Sequence, residues 1–128
     1  TSVLGIDVNQ DGKIDWVASR GHGVGLLWFE NPNWNPHPMD QEIRSPHSLT
    51  SADYNLDGLS DLASCGHESR WVRCYENSGK GTFITHLIDS HQESYDLRSM
   101  DMDGDRDADL LNAGRGSKNV VWYENPAN

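Results

Sequence analysis

The sequence predicts an all-β fold made of three four-stranded antiparallel sheets, the last of them incomplete. The first observation is a motif that occurs three times: an acidic loop, then an aromatic residue, a glutamate and an asparagine at a fixed distance. The motifs start 46 and then 48 residues apart, and each spans 25 residues without a gap. The second observation is a series of short apolar runs between turn residues, with no helical periodicity. Self-similarity at this period indicates a repeat architecture.

Within each repeat, the 25-residue motif begins with the acidic loop and ends on the asparagine. The loops are residues 7–15 (DVNQDGKID), 53–61 (DYNLDGLSD) and 101–109 (DMDGDRDAD). The closing motifs are residues 28–31 (WFEN), 74–77 (CYEN) and 122–125 (WYEN). We therefore treat residues 1–128 as a single domain with repeats at approximately 1–46, 47–94 and 95–128.

Four short strands are predicted in each repeat except the last. The strand before each loop is predicted at 3–6, 49–52 and 97–100, the strand after it at 16–18, 62–64 and 110–112, and the third at 26–29, 72–75 and 120–123. A fourth strand is predicted at 41–43 and at 83–88, with no counterpart in the third repeat.

Several of these runs, such as Val120 to Tyr123, are apolar on both faces. A sheet has this pattern when other layers cover both of its sides. Four-stranded sheets of about 46–48 residues, stacked around an axis, are the blades of a β-propeller. The small residues Gly5, Ser51 and Ser99 in one column favour the same fold, because inner strands crowd towards the axis. A β-sandwich is the structural alternative.

The charge distribution limits the partners. The net charge of −10 argues against nucleic acid and against an anionic membrane surface, since both require clustered Lys and Arg. Eleven of the 20 acidic residues lie in the three loops, so the loops repel themselves unless cations neutralise them. No stretch approaches the roughly 20 apolar residues of a membrane span, and we expect no membrane insertion.

The acidic loops have the composition of calcium sites. Side-chain oxygens occur at loop positions 1, 3, 5 and 9, and a backbone carbonyl at position 7 would complete the shell. Hard oxygen ligands of this kind select Ca²⁺. The predicted ligands, for up to three ions, are Asp7, Asn9, Asp11, Lys13, Asp15, Asp53, Asn55, Asp57, Leu59, Asp61, Asp101, Asp103, Asp105, Asp107 and Asp109. Position 6 is Gly12 or Gly58 in two loops but Arg106 in the third, which changes the expected turn there.

Other loop types fit less well. An EF-hand needs a bidentate Glu at position 12 and flanking helices, whereas position 12 here is Ala18, Ser64 or Asn112 and the flanks are strands. A dockerin repeat fails on the same position and on its shorter spacing. The remaining alternative is a set of Asx-rich turns that need no ion.

The pattern Asp-x-(Asp/Asn)-x-Asp-Gly-x-x-Asp, followed by an apolar strand, a glycine turn and Trp-Tyr-Glu-Asn, resembles the FG-GAP/VCBS repeat family. The resemblance covers essentially the whole chain. It implies calcium-binding propeller blades in an extracellular setting, as in integrin α-chains, in some fungal and bacterial lectins, and beside the catalytic domains of polysaccharide-degrading enzymes. It does not specify a ligand, because the fold hosts many functions.

Two cysteines replace a small residue and a tryptophan of the other repeats. A turn centred between Ser69 and Arg70 would place Cys65 opposite Cys74 on antiparallel strands, where a disulfide is geometrically feasible. We predict this disulfide, which would indicate an oxidising compartment. The alternative is a pair of buried free thiols.

Residues that break the repeat are the candidates for ligand binding. They are Trp16, His22, Trp34, His67, Trp71 and Arg73. The aromatic residues that recur in register are instead assigned to packing between blades, and the repeated Glu-Asn pair to strand capping or loop contacts. No metalloprotease or serine-hydrolase motif is present, and we expect no enzymatic activity in this chain alone.

We conclude that the sequence indicates a calcium-stabilised extracellular module that binds glycans or a surface partner. The alternatives are a propeller segment of a polysaccharide lyase or hydrolase, and a structural, self-assembling repeat protein without a ligand. Because closed propellers need at least four blades, we expect either a homo-oligomer or a longer parent propeller; two copies would supply six blades.

Overall fold

The computed structural model describes residues 2–127, which form eleven β-strands. The strands are β1 (Val3–Ile6), β2 (Asp15–Ser19), β3 (Val24–Glu30), β4 (Asn35–Arg44), β5 (Pro46–Ala52), β6 (Asp61–Gly66), β7 (Trp71–Asn77), β8 (Phe83–Asp89), β9 (Ser94–Met100), β10 (Asp109–Gly114) and β11 (Asn119–Tyr123). Every strand predicted from the sequence is present. The described residues include no helix with the length and apolarity that a membrane-spanning segment requires.

The strands form three antiparallel sheets, or blades, of four, four and three strands. Their orders are β1-β2-β3-β4, β5-β6-β7-β8 and β9-β10-β11. Since neighbouring strands are antiparallel, the connections alternate between two ends of the molecule. We call the end with the three acidic loops the loop end, and the end with the β2–β3, β6–β7 and β10–β11 turns the turn end. The predicted all-β fold with a three-stranded last sheet is confirmed.

The three blades share one register. Trp16 pairs with Phe29, Leu62 with Tyr75, and Leu110 with Tyr123. Successive residues of a strand point to opposite faces, so each blade has a forward face towards the next blade and a rear face towards the previous one.

Two apolar cores lie between the blades. In the first, Val17, Leu26 and Trp28 of blade 1 lie in one cluster with Leu62 and Tyr75 of blade 2. In the second core, forward residues of blade 2 lie with rear residues of blade 3; its buried members are Tyr54, Ala63, Cys65, Val72, Cys74, Leu97 and Leu110. Trp28, Tyr75 and Tyr123 pack between blades as the sequence predicts, whereas Trp122 is 44% exposed and Phe29 lines an open pocket on blade 1.

The inner strands β5 and β9 lie side by side. The Thr50 and Ser99 hydroxyl groups form a hydrogen bond of 2.9 Å, and Ser48 Oγ donates to the Leu97 carbonyl at 3.3 Å. Small hydroxyl side chains let these two strands approach each other closely. The residues at the turn end of both strands are therefore brought together.

The outer strand of blade 1 is much longer than the three residues predicted. β4 extends over Asn35–Arg44 and pairs only with β3. The sequence pattern obscured it because Pro36 and Pro38 interrupt the run. A proline cannot donate to a ladder, but an edge strand tolerates this loss, and both prolines lie on the edge strand.

The predicted disulfide is wrong, because Cys65 and Cys74 are buried free thiols. The register places Cys65 opposite Val72, and Cys74 opposite Ala63. The β6–β7 turn is centred one residue earlier than expected, which moves the partner of each strand residue by two positions. Burial raises the pKa of each thiol to about 12, so both remain protonated in the folded protein.

Candidate functional site

The three acidic loops connect the first and second strands of each blade and have the same backbone. Positions 4 and 6 have positive φ in every loop, in Gln10 and Gly12, Leu56 and Gly58, and Gly104 and Arg106. Glycine adopts this conformation without a steric cost. The third loop places its glycine at position 4, and Arg106 has a φ of 81° at position 6. The sequence suggested a different turn there, but the loop conformation is retained.

The first aspartate of each loop organises the turn that follows it. Asp7 accepts hydrogen bonds from the backbone N–H groups of Asp11 (3.1 Å) and Gly12 (2.9 Å). Asp53 accepts the equivalent bonds from Asp57 (3.0 Å) and Gly58 (2.8 Å). In the third loop the donors to Asp101 are Gly104 and Arg106, at 2.6 and 3.1 Å. This network folds each loop around its own carboxylates.

The last aspartate of each loop is buried and joins the loop to the closing asparagine. Asp61 accepts from the backbone N–H of Tyr54 at 3.0 Å and from that of Asn77 at 2.8 Å. Asn77 donates in return from its side chain to the Ser60 carbonyl at 3.2 Å. The equivalent bonds to the carboxylate are made by Val8 and Asn31 with Asp15, and by Met102 and Asn125 with Asp109.

These bonds explain why the distance from loop to closing asparagine is constant. The asparagine holds the end of the third strand against the acidic loop, 16 residues after the aspartate that it contacts. The repeated glutamate has a separate contact in two blades. Glu30 lies 3.1 Å from His37, and Glu76 lies 3.0 Å from His86, so it links the third strand to the outer strand.

The third loop meets the distance requirement of a cation site. One carboxylate oxygen from each of Asp101, Asp103 and Asp109 lies within 4.8 Å of the others. Ca²⁺ binds oxygen at 2.3–2.6 Å, so two ligands on opposite sides of the ion are about 4.6–5.2 Å apart. The donor set is also the one that Ca²⁺ prefers. The residues present therefore fit a calcium ion.

The other two loops differ in their local charges. Burial raises the pKa of Asp61, and the nearby Asp57 and Asp53 raise it further. In the first loop the Lys13 ammonium group lies 3.1 Å from Asp11, and this hydrogen bond lowers the pKa of Asp11. Of the three position-7 residues, Lys13 is exposed, Leu59 is half-buried, and Asp107 is buried. The remaining predicted calcium ligands include Asn9, Asn55 and Asp105, which belong to the first, second and third loop, respectively.

Two of the six ligand candidates lie together on the rear face of blade 1. The rings of Trp16 and Trp34 are 4.9 Å apart, and with Phe29 they line an open apolar pocket. Leu62 and Tyr75 occupy the positions equivalent to Trp16 and Phe29 in blade 2, and both are buried against blade 1. Trp16 therefore lies on the face of blade 1 that corresponds to the face of blade 2 packed against blade 1.

Trp71 and Arg73 belong to a link between blades 1 and 2. The Arg73 guanidinium lies 3.9 Å from the Trp71 ring centroid and 2.8 Å from the buried Asp40 carboxylate. Tyr75 Oη donates to the same carboxylate at 2.7 Å. Burial alone would raise the pKa of Asp40. The hydrogen bonds from the Glu42 and Ile43 backbone N–H groups, from Tyr75 and from Arg73 have the larger combined effect, so the pKa is lowered. The arrangement is that of a structural contact.

The remaining two candidates, His22 and His67, meet at the turn end through residues that sequence reasoning missed. His47 stacks on Tyr95 at 3.9 Å, His22 lies 5.0 Å from His47, and His67 lies 5.2 Å from Tyr95. Arg115 donates to Tyr95 Oη at 3.1 Å. His47 and Tyr95 both lie six residues before the first aspartate of a loop, and this shared position was the available signal.

The comparisons with known proteins agree with the repeat structure. The model of the FG-GAP-like repeat family matches residues 7–64 and again residues 53–112. The chain therefore belongs to this family, and the family supports a β-propeller-type repeat module. A comparison with curated proteins gives no match.

Proposed function

We propose that this chain is a calcium-stabilised, extracellular binding module of the propeller type, whose ligand is a glycan. The observation that carries the calcium part of the proposal is the acidic loop, which occurs three times with positive φ at the same two positions and, in the third blade, with three carboxylates at cation-binding distances. The glycan is proposed from the resemblance to propeller lectins. Residues that recur in every blade serve a function common to every blade. Holding a cation at the loop end is such a function.

The loop charges supply the physical reason for calcium. Five acidic side chains lie within the nine residues of the third loop, and their mutual repulsion opposes loop closure. Ca²⁺ would be held by Asp101, Asp103 and Asp109, and by the equivalent residues of the other loops. When bound, the ion neutralises these charges, so its binding free energy contributes to folding. Three ions would reduce the net charge from −10 to −4.

Extracellular calcium modules bind at about 10⁻⁴–10⁻³ M. At a free concentration ten times Kd, each occupied loop contributes roughly 1.4 kcal/mol to the free energy of unfolding. Thermal melts with calcium and with a chelator should therefore differ by about 5 °C or more. Identical melts, with no calcium found by elemental analysis, would contradict the proposal and indicate that the loops are Asx-rich turns that bind no ion.

A matched pair of variants assigns the effect to the loops. Asp57→Ala removes a position-5 ligand and should reduce the calcium-dependent rise in melting temperature. Glu68→Ala removes an exposed acid outside the loops and should leave that rise unchanged. Equal calcium responses in the two variants would indicate general charge screening instead of coordination.

We also propose that the isolated chain associates head to tail with a second copy. On the forward face of blade 3, Val120 is 67% exposed and Trp122 is 44% exposed, whereas their blade 1 equivalents Leu26 and Trp28 are 0% and 4% exposed. On the rear face of blade 1, Trp16 is 54% exposed. These are the two kinds of surface that pack against each other inside the chain, so each provides what the other lacks.

Sedimentation velocity over a range of concentrations tests this association. Trp122→Ser should weaken it, because it removes the large apolar side chain of the forward face. Ile84→Ser removes an exposed apolar side chain from the outer strand β8 and serves as the control. A well-folded wild-type chain that stays monomeric at all concentrations would contradict the proposal.

A further inference from the structure

The turn end holds a compact group of aromatic and basic side chains from all three blades. We call His22, His47, His67, Tyr95 and Arg115 the turn-end cluster. Its centre is the stack of His47 on Tyr95, whose rings are 3.9 Å apart and inclined by 16°. The inner strands β5 and β9 supply these two residues, and the three turns supply the others. The site therefore exists only when all three blades are assembled.

Two histidines of this cluster, His22 and His67, differ from the three histidines outside it. His37, His86 and His91 each lie within 4.0 Å of a carboxylate, at 3.1, 3.0 and 3.7 Å. Among the described residues, no salt bridge joins His22, His67 or Arg115 to an acidic side chain. This difference is informative because the chain has 20 acidic residues and only 16 basic ones, counting its six histidines.

Two carboxylates close to Tyr95 in sequence have other partners, and Glu68, which follows His67, is exposed and forms no salt bridge among the described residues. Glu93 lies 3.7 Å from Arg70, and Asp96 accepts from Arg98 at 3.1 Å and from Ser48 at 3.2 Å. Arg115 instead donates to a neutral phenol, that of Tyr95. An arginine in this position keeps further N–H donors for a ligand. Arg115 thus keeps donors and a positive charge that no acidic side chain of the described residues neutralises.

The imidazole rings can donate to a ligand without first gaining a proton. Nδ1 of His67 is buried without a hydrogen-bond partner among the described residues. A buried ring nitrogen without a partner is a polar group that the chain's own contacts leave unsatisfied. Burial, together with the nearby His22, His67 and Arg115, lowers the pKa of His47. The donor set consists of imidazole rings beside one permanent cation, Arg115.

This composition argues against a metal ion at the turn end. Among the described residues, the three-ligand group with metal-binding distances is Asp101, Asp103 and Asp109 at the opposite end. Arg115 would repel a cation. Guanidinium and imidazole N–H groups are suited to oxyanions, with which they form charge-assisted hydrogen bonds.

We infer that the turn-end cluster binds the carboxylate or sulfate group of an acidic glycan. This inference rests on the proposed glycan-binding function and adds the class of glycan and the place where it binds. Arg115 takes one or two oxygens of the anion, and the imidazole N–H groups donate to the anion and to neighbouring hydroxyls. The separation of charge in the molecule assists, because the acidic loops lie at the other end, where calcium would neutralise them.

Calorimetric titration of the calcium-loaded chain tests the inference with four ligands: an oligogalacturonate, a sulfated heparin oligosaccharide, a neutral maltooligosaccharide of matched length, and inorganic sulfate. We expect one or both acidic saccharides to bind at least about tenfold more tightly than the neutral one, since a charged hydrogen bond contributes about this much or more. Arg115→Gln and His47→Gln should each weaken that binding about 10- to 100-fold.

Lys80→Gln is the control, since it makes the same change in net charge as Arg115→Gln but lies in an exposed turn at the loop end. It should leave the affinity unchanged. Acidic and neutral saccharides that bind equally, or an Arg115→Gln variant that binds like the wild type, would overturn the inference while leaving glycan binding intact. Binding of sulfate without any saccharide, or of no ligand at all, would overturn both the inference and the glycan proposal.

Discussion

The loop end and the turn end of this molecule are built on the same three blades but differ in how strictly they repeat. At the loop end, each aspartate–asparagine contact recurs in all three blades with distances between 2.8 and 2.9 Å. At the turn end, the residue before Glu68 is His67, and its equivalents in the other blades are Gly21 and Arg115. The loop end repeats the same contact in every blade, whereas the turn end has a different residue at the same position of each blade.

This difference separates two kinds of function. A contact that recurs in every blade stabilises the blade as a unit, and a cation held there acts on stability. Residues that differ between blades but meet in space form one asymmetric surface, which is what recognition of a particular ligand requires. The predictions below therefore begin with the buried aspartate of the loop end, where the largest effect on stability is expected, and continue to the contacts between blades.

The largest expected effect on stability comes from the buried aspartate that closes a loop. Asp61→Asn replaces one acceptor oxygen by an N–H donor that faces a backbone N–H group. One hydrogen bond is lost and the other is no longer charge-assisted, so the free energy of unfolding should fall by about 3 kcal/mol. Urea unfolding in the presence of chelator measures this without any contribution from calcium.

Asp57→Asn is the matched control in the same loop. Its carboxylate is exposed and accepts from the Leu59 backbone N–H, so in chelator it should cost less than about 1 kcal/mol. If the two variants were equally stable, the aspartate–asparagine contact would not be the structural link that we describe.

The contact of Arg73 with Asp40 should come next, because it joins blade 1 to blade 2. Arg73→Met should lower the free energy of unfolding by about 2 kcal/mol, since Asp40 is buried and keeps only its bonds to Tyr75 and to the backbone. Arg98→Met, which removes an exposed ion pair, should cost less than about 1 kcal/mol. The same unfolding experiment compares them.

Asp40 should also contribute to the acid sensitivity of the fold. Its pKa is lower in the folded chain than the ordinary value of about 3.9. A carboxyl group of this kind stabilises the fold above the unfolded pKa, and its contribution is lost as the pH falls through the lower, folded pKa. Unfolding free energies measured from about pH 5 downwards should therefore fall less steeply for Asp40→Asn. An unchanged slope would contradict this assignment.

Smaller effects are expected at position 6 of the loops. A Cβ atom added to Gly58 has open space around it, so Gly58→Ala costs only the strain of positive φ, about 1 kcal/mol. Arg106→Gly should give a gain below about 1 kcal/mol, because the freedom of glycine in the unfolded chain offsets part of the relief. Thermal melts of both variants check whether the third loop has the same backbone as the second.

The smallest effect concerns the two thiols. Burial keeps Cys65 and Cys74 protonated, so neither should react with a thiol reagent such as DTNB in the folded chain, and both should react in denaturant. Reaction in neither condition, with a mass two hydrogens lower, would indicate the disulfide that the structure excludes.

The sequence was sufficient for the blades because their signals are local. Turn residues and apolar runs located every strand, and the acidic loops were found by repetition alone. The role of the closing asparagine was not predictable, because Asn77 meets Asp61 only when the third strand folds back beside the second. The positions of Cys65 and Cys74 depended on the centre of a four-residue turn, which local composition does not determine.

The turn-end cluster was even less predictable from the sequence. His47 and Tyr95 are 48 residues apart and stack only because the inner strands of two blades are neighbours. Trp16 was assigned to a ligand site because it differs from Leu62 and Leu110, although all three positions are equivalent in register. A difference in residue type therefore did not by itself separate a candidate ligand residue from a packing residue; the spatial neighbours were needed for that.

Hydrogen–deuterium exchange with and without calcium tests the comparison of the two ends most directly. Calcium should slow exchange of the backbone amides in residues 7–15, 53–61 and 101–109, and of the closing residues Asn31, Asn77 and Asn125, whose N–H groups bond the loop carboxylates. The amides of the three turns should change little. Protection that is absent from the loops, or equal at both ends, would contradict the account.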